Sequence, residues 1–183
     1  ISVSPPKRAI NQFLKKNVDA LFPPLDVNFP SGIEFIKSRE LIYIKEDFIF
    51  TSKRKSLLST ILDLEGKVVG ITRGYPYVRE LIHNNLIKLD LANNDETGAK
   101  KLVAGRTDAF VVEEYSGLKA FSKTNLSDHV HYDPSQPLSR QDVYFAFQNT
   151  EKGKRIEKKV SNAILSMKQD GTFQKIVESA KKR

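Results

Sequence analysis

The sequence predicts an α/β fold in which a mostly parallel sheet is covered by helices. Three observations predict it. Between residues 56 and 123, short β-branched runs alternate with helical patterns at the spacing of βα units. The stretch LDLEGKVVGITRGYPYV, residues 62–78, reads as a tight turn, a buried strand and a new helix start. Composition permits a solid core: of 183 residues, 39% are hydrophobic and 28% charged, which argues against disorder.

Taken in order, residues 1–3 read as the tail of a strand. Pro5-Pro6 opens a helix whose Ala9, Ile10, Phe13 and Leu14 share one face, ending near Asn17. Residues 18–22 form a short strand, and 23–32 a turn-rich loop carrying Pro23, Pro24, Pro30, Asp26 and Phe29. Residues 33–38 have no clear pattern. Residues 41–52 alternate, either as one long strand or as two short ones broken at Glu46-Asp47. The alternation then runs helix 57–64, strand 67–72, helix 75–84, strand 87–91, helix 97–104 ended by Gly105, strand 108–112 and helix 113–123. Strands at 129–132 and 142–148 flank a proline-containing loop. Two helices follow. In the first, Ile156, Val160, Ile164 and Met167 share a face; Asp170-Gly171 stops it and Thr172 caps the second, which carries Phe173, Ile176, Val177 and Ala180.

The net charge is +8, but the basic residues are scattered at 53–55, 100–101, 152–159 and 181–183. A nucleic-acid surface would gather them on one element beside aromatics, so no nucleic-acid partner is expected. Cysteine is absent, which removes disulfides, thiol catalysis and Cys-based zinc sites. No run approaches the roughly 18 apolar residues of a membrane span. Position 1 is not Met and no signal segment is recognisable, so the chain reads as a trimmed or fragmentary product.

The catalytic inventory is thin, with neither a nucleophile elbow nor a P-loop, and no metal or cofactor is expected. His129 and His131 alternate, without a carboxylate or third histidine at a suggestive spacing. The informative feature is the crevice beyond the carboxyl ends of the strands, where ligands bind in open α/β sheets. Arg73-Gly74-Tyr75, Glu113-Glu114-Tyr115 and the loop after Phe22 deliver polar and aromatic groups there. Gly74 allows close backbone approach, and a helix starting near Tyr75 would aim N–H groups at a solute. Pro76 removes one donor, so Tyr75 and Tyr77 are expected to supply aromatic walls and hydroxyls. Of the two acids, one is expected to face the crevice and the other solvent.

Five segments in order carry a resemblance: PPKRAINQFLKKNVDALF, LDLEGKVVGITRGYPY, AKKLVAGRTDAFVVEE, QPLSRQDVYFAFQNT and ILSMKQDGTFQKIV. Together they resemble the bacterial extracellular solute-binding proteins of family 3, type II periplasmic binding proteins of the amino-acid type. The resemblance implies two α/β lobes joined by two hinge strands and closing on a small solute. Residues 1–42 and 148–183 would form a partial first lobe, 43–47 and 142–147 the hinges, and 48–141 the second lobe. The family's opening strand, helix and following strand have no counterpart before Ile1, so the resemblance implies an N-terminally incomplete chain. Apolar surface at Ile10, Phe13, Leu21 and Phe22 would then be exposed and favour self-association.

The implied function is non-catalytic capture of a small polar solute, amino-acid-like or otherwise cationic, for an ABC importer. The implied partners are the solute and the permease membrane subunits, and the implied location is periplasmic or extracellular in a bacterium. The alternative is an extracytoplasmic sensory domain fused to a signalling receptor; an enzyme on the same fold lacks a well-placed acid–base pair. The family's ligand-gripping arginine has no counterpart in residues 26–36. Arg39 is the nearest guanidinium, which argues against an ordinary α-amino acid held in the usual way. Glu113 falls where the family places an acid for the ligand's ammonium group. The expected site is therefore Phe22, Arg39, Arg73, Gly74, Tyr75, Tyr77 and Glu113.

Overall fold

A computed structural model describes residues 2–181. The expected strand tail at 1–3 includes Ile1, which lies outside the described residues, and Ser2 and Val3 form no strand. Lys182 and Arg183 of the terminal basic run also lie outside them. The chain divides into two compact units, one made of Ile1–Ile44 and Asp142–Arg183 and the other of Lys45–Gln141.

In the discontinuous unit, α1 (Pro6–Leu14) starts at the expected proline and leads to β1 (Ala20–Leu21). Residues 33–38, without a clear pattern in the sequence, contain β2 (Phe35–Lys37). Both strands pair antiparallel with β9 (Ala146–Gln148), which lies between them. Two helices close the unit, α5 (Glu151–Gln169), capped by the Thr150 side chain, and α6 (Thr172–Lys181). Phe13, Leu21, Phe29, Tyr144 and Ala146 form the core. This corrects the expected exposed patch: Phe13 and Leu21 are buried, Ile10 is half-buried, and of the named residues only Phe22 is exposed. Self-association thereby loses most of its physical motive.

The continuous unit is built on a six-stranded sheet with the order β5-β4-β6-β3-β7, with β8 also pairing with β3. Here β3 is Tyr43–Ser52, β4 Val68–Thr72, β5 Lys88–Ala92, β6 Ala109–Glu113, β7 Val130–His131 and β8 Ser139–Val143. Strands β5, β4 and β6 are parallel, while β3 runs against β6 and β7, so the sheet is mixed. Period-two alternation sorts the side chains onto two faces. Phe48, Phe50, Phe110 and Val112 pack under α3 (Asp95–Val103) and α4 (Glu114–Lys123), against Ala99, Leu102, Ala120 and Phe121. Ile49, Val69, Ile71, Ala109 and Val111 face the other way, onto Leu64, Tyr77, Leu81 and Ile87. Both faces are covered, as parallel strands require.

Several local expectations are corrected. Of the two alternatives for residues 41–52, β3 takes the single long strand, unbroken through Glu46-Asp47, whereas the strand expected at 142–148 splits between β8 and β9. The helix expected at 57–64 reduces to a 3-10 turn, Leu62–Leu64, because Asp63 Oδ2 accepts from Ser59 N, Thr60 N and Thr60 Oγ1 and holds a compact loop. The helix expected at 75–84 shrinks to α2 (Arg79–Ile82). Pro76 disfavours helical backbone at Tyr75, and the chain remains extended at Val78. His129 lies in a 3-10 turn, Ser127–His129, outside the strand that holds His131.

Candidate functional site

Because β5, β4 and β6 are parallel, their carboxyl ends open on the same edge of the continuous unit. Thr72 ends β4. Arg73 N donates to Ala92 O at 2.8 Å, tying the turn to the end of β5. Gly74 has φ +83 and open space where a Cβ would stand, so the turn needs glycine for its backbone and leaves room beside it. Arg73 and Tyr75 are exposed. Glu113 ends β6 and is the N-cap of α4, its Oε2 accepting from Ser116 N at 2.8 Å.

The third strand end supplies what the sequence reasoning missed. Asp95 opens α3 after β5. Its Oδ1 accepts from Thr72 Oγ1 at 2.5 Å and its Oδ2 from Tyr75 Oη at 3.2 Å. Burial, then the Asp95 carboxylate, with smaller contributions from Glu96 and Glu113, push the Tyr75 phenol above its ordinary value. The Tyr75 hydroxyl thus donates to an acid that follows the end of β5. A pocket of about 350 Å³ lies here, lined among others by Tyr75, Asn94, Asp95, Glu96, Tyr115 and Lys119. The same crevice rule that selected the ends of β4 and β6 applies to 93–96, and it was the available signal.

Other expected site residues are placed elsewhere. Tyr77 is 4% exposed, and its hydroxyl accepts the Thr72 N–H at 2.9 Å. It is a core residue that pins the end of β4, not a wall open to solute. The helix start expected beside Gly74 is absent, since α2 begins only at Arg79. Glu114 does not simply face solvent; its Oε1 accepts from Tyr132 Oη at 2.8 Å, and burial and this contact push that phenol up to about 12.

Phe22 and Arg39 belong to the discontinuous unit. Phe22 stacks on Phe145 at 4.2 Å and remains 45% exposed. Arg39 Nε donates to Glu157 Oε1 at 3.2 Å and its Nη2 to Asn162 Oδ1 at 3.2 Å. Burial draws the Glu157 carboxyl upward, but hydrogen bonds from Ser161 and Arg39 outweigh it and hold the group below its ordinary value. Arg39 therefore already has local partners on α5. Among the described residues, no group of three or more His, Cys, Asp or Glu is placed to hold a metal ion.

No family model matches the chain. A putative amino-acid ABC transporter-binding protein of Vibrio harveyi, PatH, is 29% identical over 130 residues, 70% of this chain and 51% of the relative. The L-cystine-binding protein TcyJ of Escherichia coli is 32% identical over 123 residues, 66% of this chain and 44% of the relative. In sequence the chain is similar to amino-acid-binding proteins of ABC transporters. It spans about half the length of the curated relatives it matches. Solved structures show the fold of these binding proteins. An ancestral arginine-binding protein bound to arginine matches with TM-score 0.68 at 20% identity, covering 93% of this chain and 74% of that one. An amino acid ABC transporter substrate-binding protein, AbpA, from Streptococcus pneumoniae, bound to L-arginine, matches with TM-score 0.68 at 17% identity, covering 99% and 75%. A histidine kinase sensor domain with similarity to periplasmic binding proteins shares the fold at TM-score 0.66 and 17% identity, covering 93% and 72%.

Proposed function

We propose that this chain is a family 3 solute-binding protein that binds a small polar solute without chemical conversion, as the capture component of a bacterial ABC importer working in the periplasm or outside the cell. The solute is amino-acid-like or another cationic small molecule. The observation that carries this reading is the sequence relationship to amino-acid transporter-binding proteins over about two thirds of the chain. The strand-end groups support it: Arg73, Gly74, Tyr75 and Glu113 offer charge, close backbone and an aromatic face, but no nucleophile beside a base. Glu113, at the end of β6, is the acid we assign to the solute's ammonium group. The permease membrane subunits are the partners this role requires.

The test is a thermal-shift screen of amino acids and amines, followed by titration calorimetry on the hits. A ligand that binds only the folded chain raises its melting temperature. Glu113→Gln should weaken the best hit roughly tenfold to a hundredfold. Unchanged affinity would remove Glu113 from the site. The second reading is an extracytoplasmic sensory domain, favoured by the fold shared with a histidine kinase sensor domain. It predicts the same solute binding, so the full-length gene product decides between them: a transmembrane segment leading into a kinase supports the sensor.

A further inference from the structure

The pocket between the starts of α3 and α4 has a definite charge arrangement. Glu96 already has a cation, the Lys123 ammonium at 3.4 Å. Asp95 accepts hydroxyl hydrogen bonds from Thr72 and Tyr75, and among the described residues it forms no ion pair. Two tyrosines from different elements, Tyr75 after β4 and Tyr115 in α4, line the same space. The chain itself shows what the Tyr115 face attracts: the Lys119 ammonium lies over this ring, 5.6 Å from its centroid. Aromatic faces beside a carboxylate are the chemistry that recognises organic cations.

We propose that this pocket seats the ammonium or guanidinium group of the solute, with Asp95 as its counter-charge and Tyr75 and Tyr115 as its walls. The inference rests on the solute-binding reading above and adds to it a specificity residue, Asp95, and a ligand class, small organic cations. An ordinary role for Asp95 is to favour the positive N-terminal end of α3, and that role is compatible with this one. Its position between Thr72 and Tyr75 fixes the carboxylate before a ligand arrives, which limits the ordering cost of binding. The pocket, about 350 Å³, lies in the size range of small-molecule sites.

The experiment measures binding of L-arginine, agmatine, L-lysine, putrescine and the uncharged analogue L-citrulline to wild type, Asp95→Asn and Tyr115→Leu by calorimetry. Wild type should bind at least one of the cations roughly tenfold or more tighter than citrulline. Asp95→Asn should lose that preference, weakening the cation roughly tenfold to a hundredfold with citrulline affinity little changed. Tyr115→Leu should weaken the cation by a smaller factor. Each variant's unperturbed melting temperature shows that it folds. A cation preference that survives in Asp95→Asn overturns this inference and leaves the solute-binding reading standing, as does tight binding of a neutral or acidic amino acid in preference to every cation. Failure of all these probes, and of all neutral and acidic amino acids, to bind wild type overturns both.

Discussion

Replacing Asp47 by alanine should destabilise the continuous unit strongly. Asp47 is 1% exposed and its carboxylate accepts from the Lys45 ammonium, from Ser139 Oγ at 2.9 Å and from Gln141 Nε2 at 3.3 Å. The Lys45 side chain is 12% exposed and reaches Pro76 O at 3.4 Å. Removing one partner of a buried pair costs about 3–5 kcal/mol, because the other charge stays buried and uncompensated. Lys45 retains slight solvent access and one carbonyl, which places the loss near the lower end, about 3 kcal/mol. For a domain of about 100 residues this corresponds to roughly 12–24 °C in melting temperature. Urea unfolding followed by circular dichroism reads the loss as a lower midpoint at constant slope. Lys45→Met combined with Asp47→Ala should recover much of it, since no lone ammonium remains. A loss below about 1 kcal/mol in Asp47→Ala, within the reach of an exposed pair, would refute the reasoning.

Other outcomes follow from single contacts. A Cβ at Gly98 would stand 2.4 Å from Phe110 Cε2, and Phe110 is fully buried, so Gly98→Ala should cost about 1–3 kcal/mol by overpacking, read in the same urea titration. Tyr77→Phe removes the hydroxyl that accepts the Thr72 N–H and should cost about 1–3 kcal/mol; a neutral result would mean another group takes over that N–H. The Lys55 ammonium and then the Val68 N–H hold the Asp108 carboxyl below the usual aspartate range. A carboxyl lowered on folding adds stability above its unfolded value, about 3.9, and loses it as pH falls through the lower folded value. Wild type should therefore lose stability between about pH 5 and about pH 3 more steeply than Asp108→Asn, and parallel melting curves over that range would contradict the assignment.

The βα alternation was legible because β4 and β6 are buried along most of their length and read as apolar runs, as Val69, Ile71 and Val111 do. The helix at 57–64 was not: Leu57, Leu58, Ile61 and Leu64 have helical spacing, but Asp63 competes for the same backbone N–H groups. Pro76 falls in the first turn of the helix expected at 75–84, yet its restriction on the preceding residue decided the local geometry. Arg73, Gly74 and Tyr75 were placed at a strand end by position in the sequence, and Glu113 by position together with the family resemblance; the structure puts them at the ends of β4 and β6. The core position of Tyr77 was not legible, since sequence gives no sign that its hydroxyl turns back onto Thr72. Asp95 lay outside the helix expected at 97–104, and the folded sheet brings it against Thr72 and Tyr75.

The central claim is that the chain binds a small organic cation and returns it unchanged. Titration calorimetry with the best cationic hit, followed by mass analysis of the recovered ligand, tests it most directly. Saturable one-to-one binding and an intact ligand are expected. No binding across the cation panel, or conversion of the bound solute into a product, would contradict it.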